Sequence, residues 1–273
     1  MRILVTNDDG VDCVGIHVLA RRLAAFGDVV VAAPDREYSG ASAALGTLHL
    51  IHPEVRRIDV EGVPEAWAIS GPPALCVVFS RLGVFGGTFD LVVSGINPGA
   101  NAGRAIYHSG TVGAALTARN GGVSGVAISQ AVAGFGVEGQ GWDEVLEDQQ
   151  WGTAVEVGAR VVHAMIDHPA DGPVVLNVNV PNVPIDEVLG WRRTSIAGLP
   201  PRALASARLV ARPGHDNVFD VQMEWGDPQV LPADTDSGAV EAGYVSITAL
   251  SRIADDRDVD LSRLLTQEPA RRP

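Results

Sequence analysis

The sequence predicts an α/β chain: a three-layer, Rossmann-like, mostly parallel sheet with an antiparallel hairpin extension toward the C-terminus. Three observations carry this. Strand, helix and strand patterns follow one another at residues 3–6, 15–26 and 29–33, which is the βαβ unit with its right-handed crossover. Further apolar runs at 89–93, 126–129 and 174–180 recur with helical patterns between them, as in parallel strands covered on both faces. The 273 residues are 46% hydrophobic with only 5% aromatic, enough Val, Ala, Leu and Ile for one large covered sheet.

Taken in order, Ile3, Leu4 and Val5 open a buried strand. Ile16, Leu19, Ala20 and Leu23 have helical spacing, and Gly27 stops that helix. The strand over 29–33 ends at Pro34-Asp35, and residues 35–47 form a Gly/Ser/Ala-rich loop. Short strands of mixed polarity are expected over 55–60 and 66–69. Pro72 opens a helix running through Leu82. After the strand over 89–93, Ser94-Gly95-Ile96-Asn97 brings the chain back to the rim of strand ends, and a helix follows over 111–119. Residues 131–150 are glycine-rich and then acidic, and read as an exposed excursion. An amphipathic helix is expected over 153–166 and an apolar strand over 174–180, closed by Pro181. Residues 188–230, including a strand at 218–225, read as the hairpin extension. Thr235-Asp236 caps a short helix, residues 244–250 form a last strand, and the tail has a weak helical pattern around Leu261, Leu264 and Leu265. The expected organisation is one domain over 1–254, its core drawn from 1–130, 151–182 and 235–250, with a tail over 255–273.

The net charge of -13 argues against nucleic-acid or membrane-surface binding, which need a basic face. A small anionic substrate remains compatible if a metal supplies local positive charge. All 20 basic residues are arginine. The absence of lysine removes a P-loop lysine, a Schiff-base lysine and the lysine of a receiver-type phosphoacceptor site. Two cysteines, Cys13 and Cys76, in no metal-type spacing, and no secretory leader pattern lead to the expectation of a reduced, cytoplasmic setting.

The chemistry concentrates at strand ends. Asn7-Asp8-Asp9-Gly10 follows the first strand directly. Adjacent carboxylates repel and raise each other's proton affinity unless a cation sits between them. In an open α/β sheet ligands bind at the carboxyl ends of strands. Ser39, in the loop after the second strand, and Asn97, after the strand at 89–93, lie on the same rim. Two carboxylates, a hydroxyl and an amide oxygen suit one divalent ion per subunit, Mg2+ or Mn2+, with Ca2+ as a stand-in, and do not suit zinc. Gly95 to Gly103 is glycine-rich, and Ser109-Gly110-Thr111 opens a helix. Glycines allow close backbone approach, and a helix N-terminus favours an anion. Asn101, Ser109 and Thr111 add side-chain donors, and His108 stands beside them.

Each motif alone has a plainer reading: a turn or cap for Asp8-Asp9, an Asx turn for Asn97, an ordinary helix cap for Ser109. Their conjunction on one rim favours phosphate chemistry. An aspartyl-phosphate receiver is disfavoured by the missing lysine, and a dinucleotide-binding oxidoreductase by the missing Gly-x-Gly-x-x-Gly turn. A module that senses nucleotide or metal without turnover remains the alternative.

In combination, ILVTNDDG (3–10), APDREYSGAS (33–42), DLVVSGINPGAN (90–101), SGTVGAA (109–115), NVNVP (177–181) and TDSGAVEAGYVSITAL (235–250) resemble the SurE survival-protein family of metal-dependent 5'/3'-nucleotidases. The resemblance implies phosphate removal from nucleoside monophosphates and a homodimer or homotetramer with exchanged C-terminal elements. It places Asp8, Asp9, Ser39 and Asn97 on the metal, with Asp8 and Asp9 also catalytic. It places Gly40, Ser42, Asn101, Ser109, Gly110 and Thr111 on the phosphate side. The chain departs from the family pattern at Pro72 and Leu75, at Arg104-Ala105, at His108 and at Ala249. Those at 104–108 bear on substrate preference.

Overall fold

The computed structural model describes residues 1–46, 52–132, 146–199, 204–227, 229–254 and 258. The expected tail helix around Leu261, and residues 133–145 of the expected excursion, lie outside the described residues.

The first half runs β1 (Arg2–Thr6), α1 (Val14–Leu23), β2 (Asp28–Pro34), β3 (Val55–Val60), β4 (Val63–Ile69), α2 (Pro73–Arg81) and β5 (Leu91–Pro98). A 3-10 turn, Gly103–Tyr107, then precedes α3 (Gly110–Asn120) and β6 (Ser124–Gln130). The second half holds α4 (Trp151–Asp167), β7 (Val175–Val180), β8 (Trp191–Arg193), β9 (Leu204–Ala211), β10 (Phe219–Trp225), α5 (Asp236–Glu241) and β11 (Val245–Leu250).

Nine strands form one sheet in the order β3-β4-β2-β1-β5-β6-β7-β11-β8. The pairs joining β4, β2, β1, β5, β6 and β7 are all parallel. β3 and β11 add antiparallel to β4 and β7. Alternation along β1 assigns its two faces. Ile3 and Val5 pack with Ile16, Leu19 and Leu23 of α1 and Ala154 and Val162 of α4. Leu4 packs with Leu75 and Val77 of α2 and Ala114 and Ala118 of α3. Helices therefore cover both faces, as expected for a three-layer α/β fold.

Three expectations need correction. The strand at 89–93 runs on to Pro98, so Asn97 belongs to β5; its pairing with β6 shifts register between Ser94 and Asn97. Gly95 permits this, because a Cβ there would lie 2.3 Å from the Ile128 carbonyl oxygen. The hairpin extension is narrower than 188–230. Trp191–Arg193 joins the main sheet parallel to β11, and the Thr194 hydroxyl bonds Ser246 and Thr248, 2.8 Å each. Among the described residues, β9 and β10 alone form the separate antiparallel hairpin. The end of the expected excursion is anchored, not loose. Gln149 is buried and donates to Gln130 Oε1 at 2.9 Å, and Gln130 donates to the Gln150 carbonyl at 2.9 Å.

Candidate metal and phosphate site

The chain leaves β1 toward β2 in one direction and later enters β5 on β1's other side. The topological switch point thus lies between β1 and β5, where an open α/β sheet forms its ligand crevice. Asp8 and Asp9 follow β1 at this point, and Asn97 lies among the last residues of β5, the strand paired with β1 on that side. The Asn7 side chain donates to the Gly10 carbonyl at 2.8 Å and closes the turn. Gly10 takes φ +108°, and its α-carbon faces the Arg36 backbone closely. The Tyr38 amide donates to the Asp8 carbonyl at 2.7 Å, which ties the loop after β2 to this turn.

That loop bends at Tyr38–Ala41, where the Ala41 amide donates to the Tyr38 carbonyl at 3.1 Å. Ser39 and Gly40 form its exposed crest, with Gly40 at φ +82°. Ser42 adopts φ +53° and donates its amide to the His108 carbonyl at 3.1 Å. Gly113 lets α3 lie against this loop, since a Cβ there would meet the Ser42 carbonyl oxygen at 2.2 Å.

α3 begins directly over Asp8. Ser109 is its N-cap and accepts from the Val112 amide at 3.1 Å. The Thr111 hydroxyl donates to Asp8 Oδ1 at 2.5 Å, and Gly110 lies against the same carboxylate, where a Cβ would fall 2.7 Å from Asp8 Oδ2. Burial raises the Asp8 pKa nonetheless, the Thr111 bonds opposing it. The start of α3 therefore sits against Asp8, with the positive end of the helix dipole at the carboxylate.

Asp9 is different. It is 8% exposed, and both carboxylate oxygens are buried with no hydrogen-bond partner among the described residues. Desolvation, then the negative charges of Asp8 and Glu37, push its pKa to about 8. A buried carboxylate with two orphaned oxygens beside a second carboxylate is a site short of positive charge. Asn97 donates its amide to the Gly99 carbonyl at 2.7 Å, which fixes the amide plane. Among the described residues no cluster of three or more His, Cys, Asp or Glu forms a metal centre. A hard-cation site here rests on two carboxylates supplemented by neutral oxygens, and the donor set fits Mg2+ or Mn2+.

A polar network that spacing alone does not reveal supports the phosphate side. Asn101 donates its side-chain amide to Ser129 Oγ at 2.8 Å and to Thr111 Oγ1 at 3.4 Å. Its backbone is held by Asn177 and Asn179 of β7. Asp236 at the start of α5 is fully buried and accepts the amides of Gly103, Ala197 and Ser237 at 2.8–2.9 Å. The readable signal for these was asparagine at alternate positions of an otherwise apolar strand. Arg104, Tyr107 and His108 are exposed on the rim, Tyr107 at 79%.

Residues 3–199 match the family model described as survival protein SurE. The chain is 37% identical over 254 residues to the 5'-nucleotidase SurE of Aeromonas hydrophila, covering 92% of each chain. It is 35% identical over 259 residues to the 5'-nucleotidase SurE of Mannheimia succiniciproducens, again at 92% of each. The crystal structure of the SurE protein from Aquifex aeolicus superposes with a TM-score of 0.79 at 29% identity, covering 98% of this chain and all of that one.

Proposed function

The chain belongs to the SurE survival-protein family, and from that premise we infer that it is a 5'-nucleotidase, a phosphoric monoester hydrolase acting on nucleoside monophosphates. The finer reading is a metal-dependent reaction at the β1–β5 switch point, with 5'- or 3'-monophosphates cleaved to nucleoside and phosphate.

The single observation that carries the metal dependence is Asp9, whose two buried oxygens lack a hydrogen-bond partner among the described residues. Asp8, Asp9, Ser39 and Asn97 would hold one divalent ion per subunit. When bound, such an ion supplies positive charge against the phosphate and acidifies water. The chain's own groups do the rest. Asp8 and Asp9 are suited to accept a proton from the attacking water. The positive dipole end of α3 and the Ser109 hydroxyl would stabilise charge building on the phosphate oxygens, with Gly110, Thr111, Asn101 and the turn at Gly40 and Ser42 shaping that side of the site.

The assembly reading is a homodimer or homotetramer. Phe219, Val221 and Met223 of β10 lie opposite Ala211, Leu209 and Ala207 of β9, making one apolar face. All of it is exposed in the single chain. A lone two-stranded hairpin with a bare apolar face is marginal in water, which supports burial against a second copy. The unpaired thiols of Cys13 and Cys76 support a cytoplasmic setting.

Phosphate release from a panel of nucleoside monophosphates and an aryl phosphate, after chelation and after Mn2+ addition, tests the proposal. Release that is lost with EDTA and restored by Mn2+ is expected. Release indifferent to chelation contradicts the metal reading, and tight nucleotide binding without release favours a sensing module.

A further inference from the structure

β7 buries two asparagines, at positions 177 and 179, in a strand otherwise made of Val and Leu. A buried amide is costly unless its donors and acceptor are used. Three of their polar atoms bond one residue outside the sheet, while Asn177 Oδ1 has no partner among the described residues. Asn179 Oδ1 accepts from the Asn101 backbone N–H at 2.8 Å, and Asn179 Nδ2 donates to the Asn101 C=O at 3.1 Å. Asn177 Nδ2 donates to the same carbonyl at 2.7 Å. Three bonds therefore grip a single loop residue from a rigid strand. The side chain of Asn101, so held, reaches Ser129 and Thr111, and Thr111 bonds Asp8.

We propose that Asn179, assisted by Asn177, is a positioning residue for phosphate-ester cleavage: by clamping the Asn101 peptide from β7 it sets the presentation of the Asn101 amide and the Thr111 hydroxyl beside Asp8. The inference rests on the phosphomonoesterase reading above. A loop carrying Gly99 and Gly103 at φ +112° and +57° has little stiffness of its own. A side chain anchored in the sheet interior supplies it, and misplacement of a site group by about 1 Å costs up to 100-fold in rate.

The test is a double-variant cycle on the full chain with Mn2+. It follows hydrolysis of a nucleoside monophosphate and, separately, inorganic phosphate binding by calorimetry. Asn101→Ala and Asn179→Ala should each lower kcat by about 10- to 100-fold and weaken phosphate binding, with Mn2+ affinity held within about twofold. The combined variant should fall no further than Asn101→Ala alone, within about threefold, because both remove one presentation. A role in stability alone would lower the melting temperature and give additive losses.

Additive losses, or a folded Asn179→Ala with wild-type kcat and phosphate affinity, overturn the inference. If Asn179→Ala does not fold, Asn179→Asp keeps the volume and the acceptor, removes the amide donor, and carries the same cycle. A wild type that binds phosphate but cleaves no monoester removes the nucleotidase reading, while the calorimetric cycle still decides the clamp. A wild type that cleaves with additive variants removes the clamp alone, and one that neither binds nor cleaves removes both.

Discussion

At Asp9 the chain keeps a buried carboxylate that no hydrogen-bond donor among the described residues satisfies. The folded state holds its proton up to about pH 8, against 3.8 for the ordinary group. Below pH 3.8 both folded and unfolded chains carry the proton, so nothing is lost. Between 3.8 and 8 the folded chain binds the proton more tightly, and each pH unit upward removes about 1.4 kcal/mol of stability. Without metal, the melting temperature should therefore fall from pH 5 to pH 8. Asp9→Asn should flatten much of that slope and melt about 5 °C or more above the wild type at pH 8 in EDTA. The same substitution, like Asp8→Asn, should lower turnover at saturating Mn2+ by at least about 100-fold. Thermal melts across pH and steady-state kinetics separate the two effects. The Asp8-Asp9 pair was readable in the sequence because two carboxylates at a strand end need a reason. The division between them was not, since only tertiary packing puts the Thr111 hydroxyl on Asp8 and leaves Asp9 without a donor among the described residues.

α3 joins local sequence to the site most directly. Ser109 caps it as its position before Gly110-Thr111 predicts, and Ser109→Ala should cost about 1 kcal/mol in denaturant unfolding. Gly110 matters for a different reason. A methyl there would sit 2.7 Å from Asp8 Oδ2, so Gly110→Ala must displace the carboxylate or the helix start. The expected result is loss of at least about 10-fold in kcat from a protein that still folds. Wild-type kcat from Gly110→Ala would mean that the contact between α3 and Asp8 is not part of the working site. Elements with strong periodicity, such as α4 and β7, were legible within one or two residues. β5 was not, because Gly95-Ile96-Asn97-Pro98 carries turn chemistry yet continues in the sheet through a register shift. β8 was missed as a sheet strand because three residues with exposed Trp191 show no burial pattern; its place depends on β11.

Over the whole molecule, the doubly covered sheet brings together strand ends that lie far apart in the chain, and that convergence is what the order β2-β1-β5-β6 achieves. Both the fold class and the rim were legible, since strand ends of a parallel sheet share one edge. The clamp from β7 was not, because nothing in residues 177–179 indicates which loop they reach. The apolar face of β9 and β10 finds no cover in one chain. Val221→Arg on that face should shift sedimentation toward a smaller species at micromolar concentration while leaving the main sheet folded, as judged by circular dichroism.

Oxygens from Asp8, Asp9, Ser39 and Asn97 are proposed to surround one divalent ion at the β1–β5 switch point. Anomalous diffraction at the manganese edge, from crystals grown with Mn2+, tests this most directly. The account predicts one peak per chain within coordination distance of the Asp8 and Asp9 carboxylates, absent from Asp9→Asn crystals. No peak at that point, or an unchanged peak in Asp9→Asn, would contradict it.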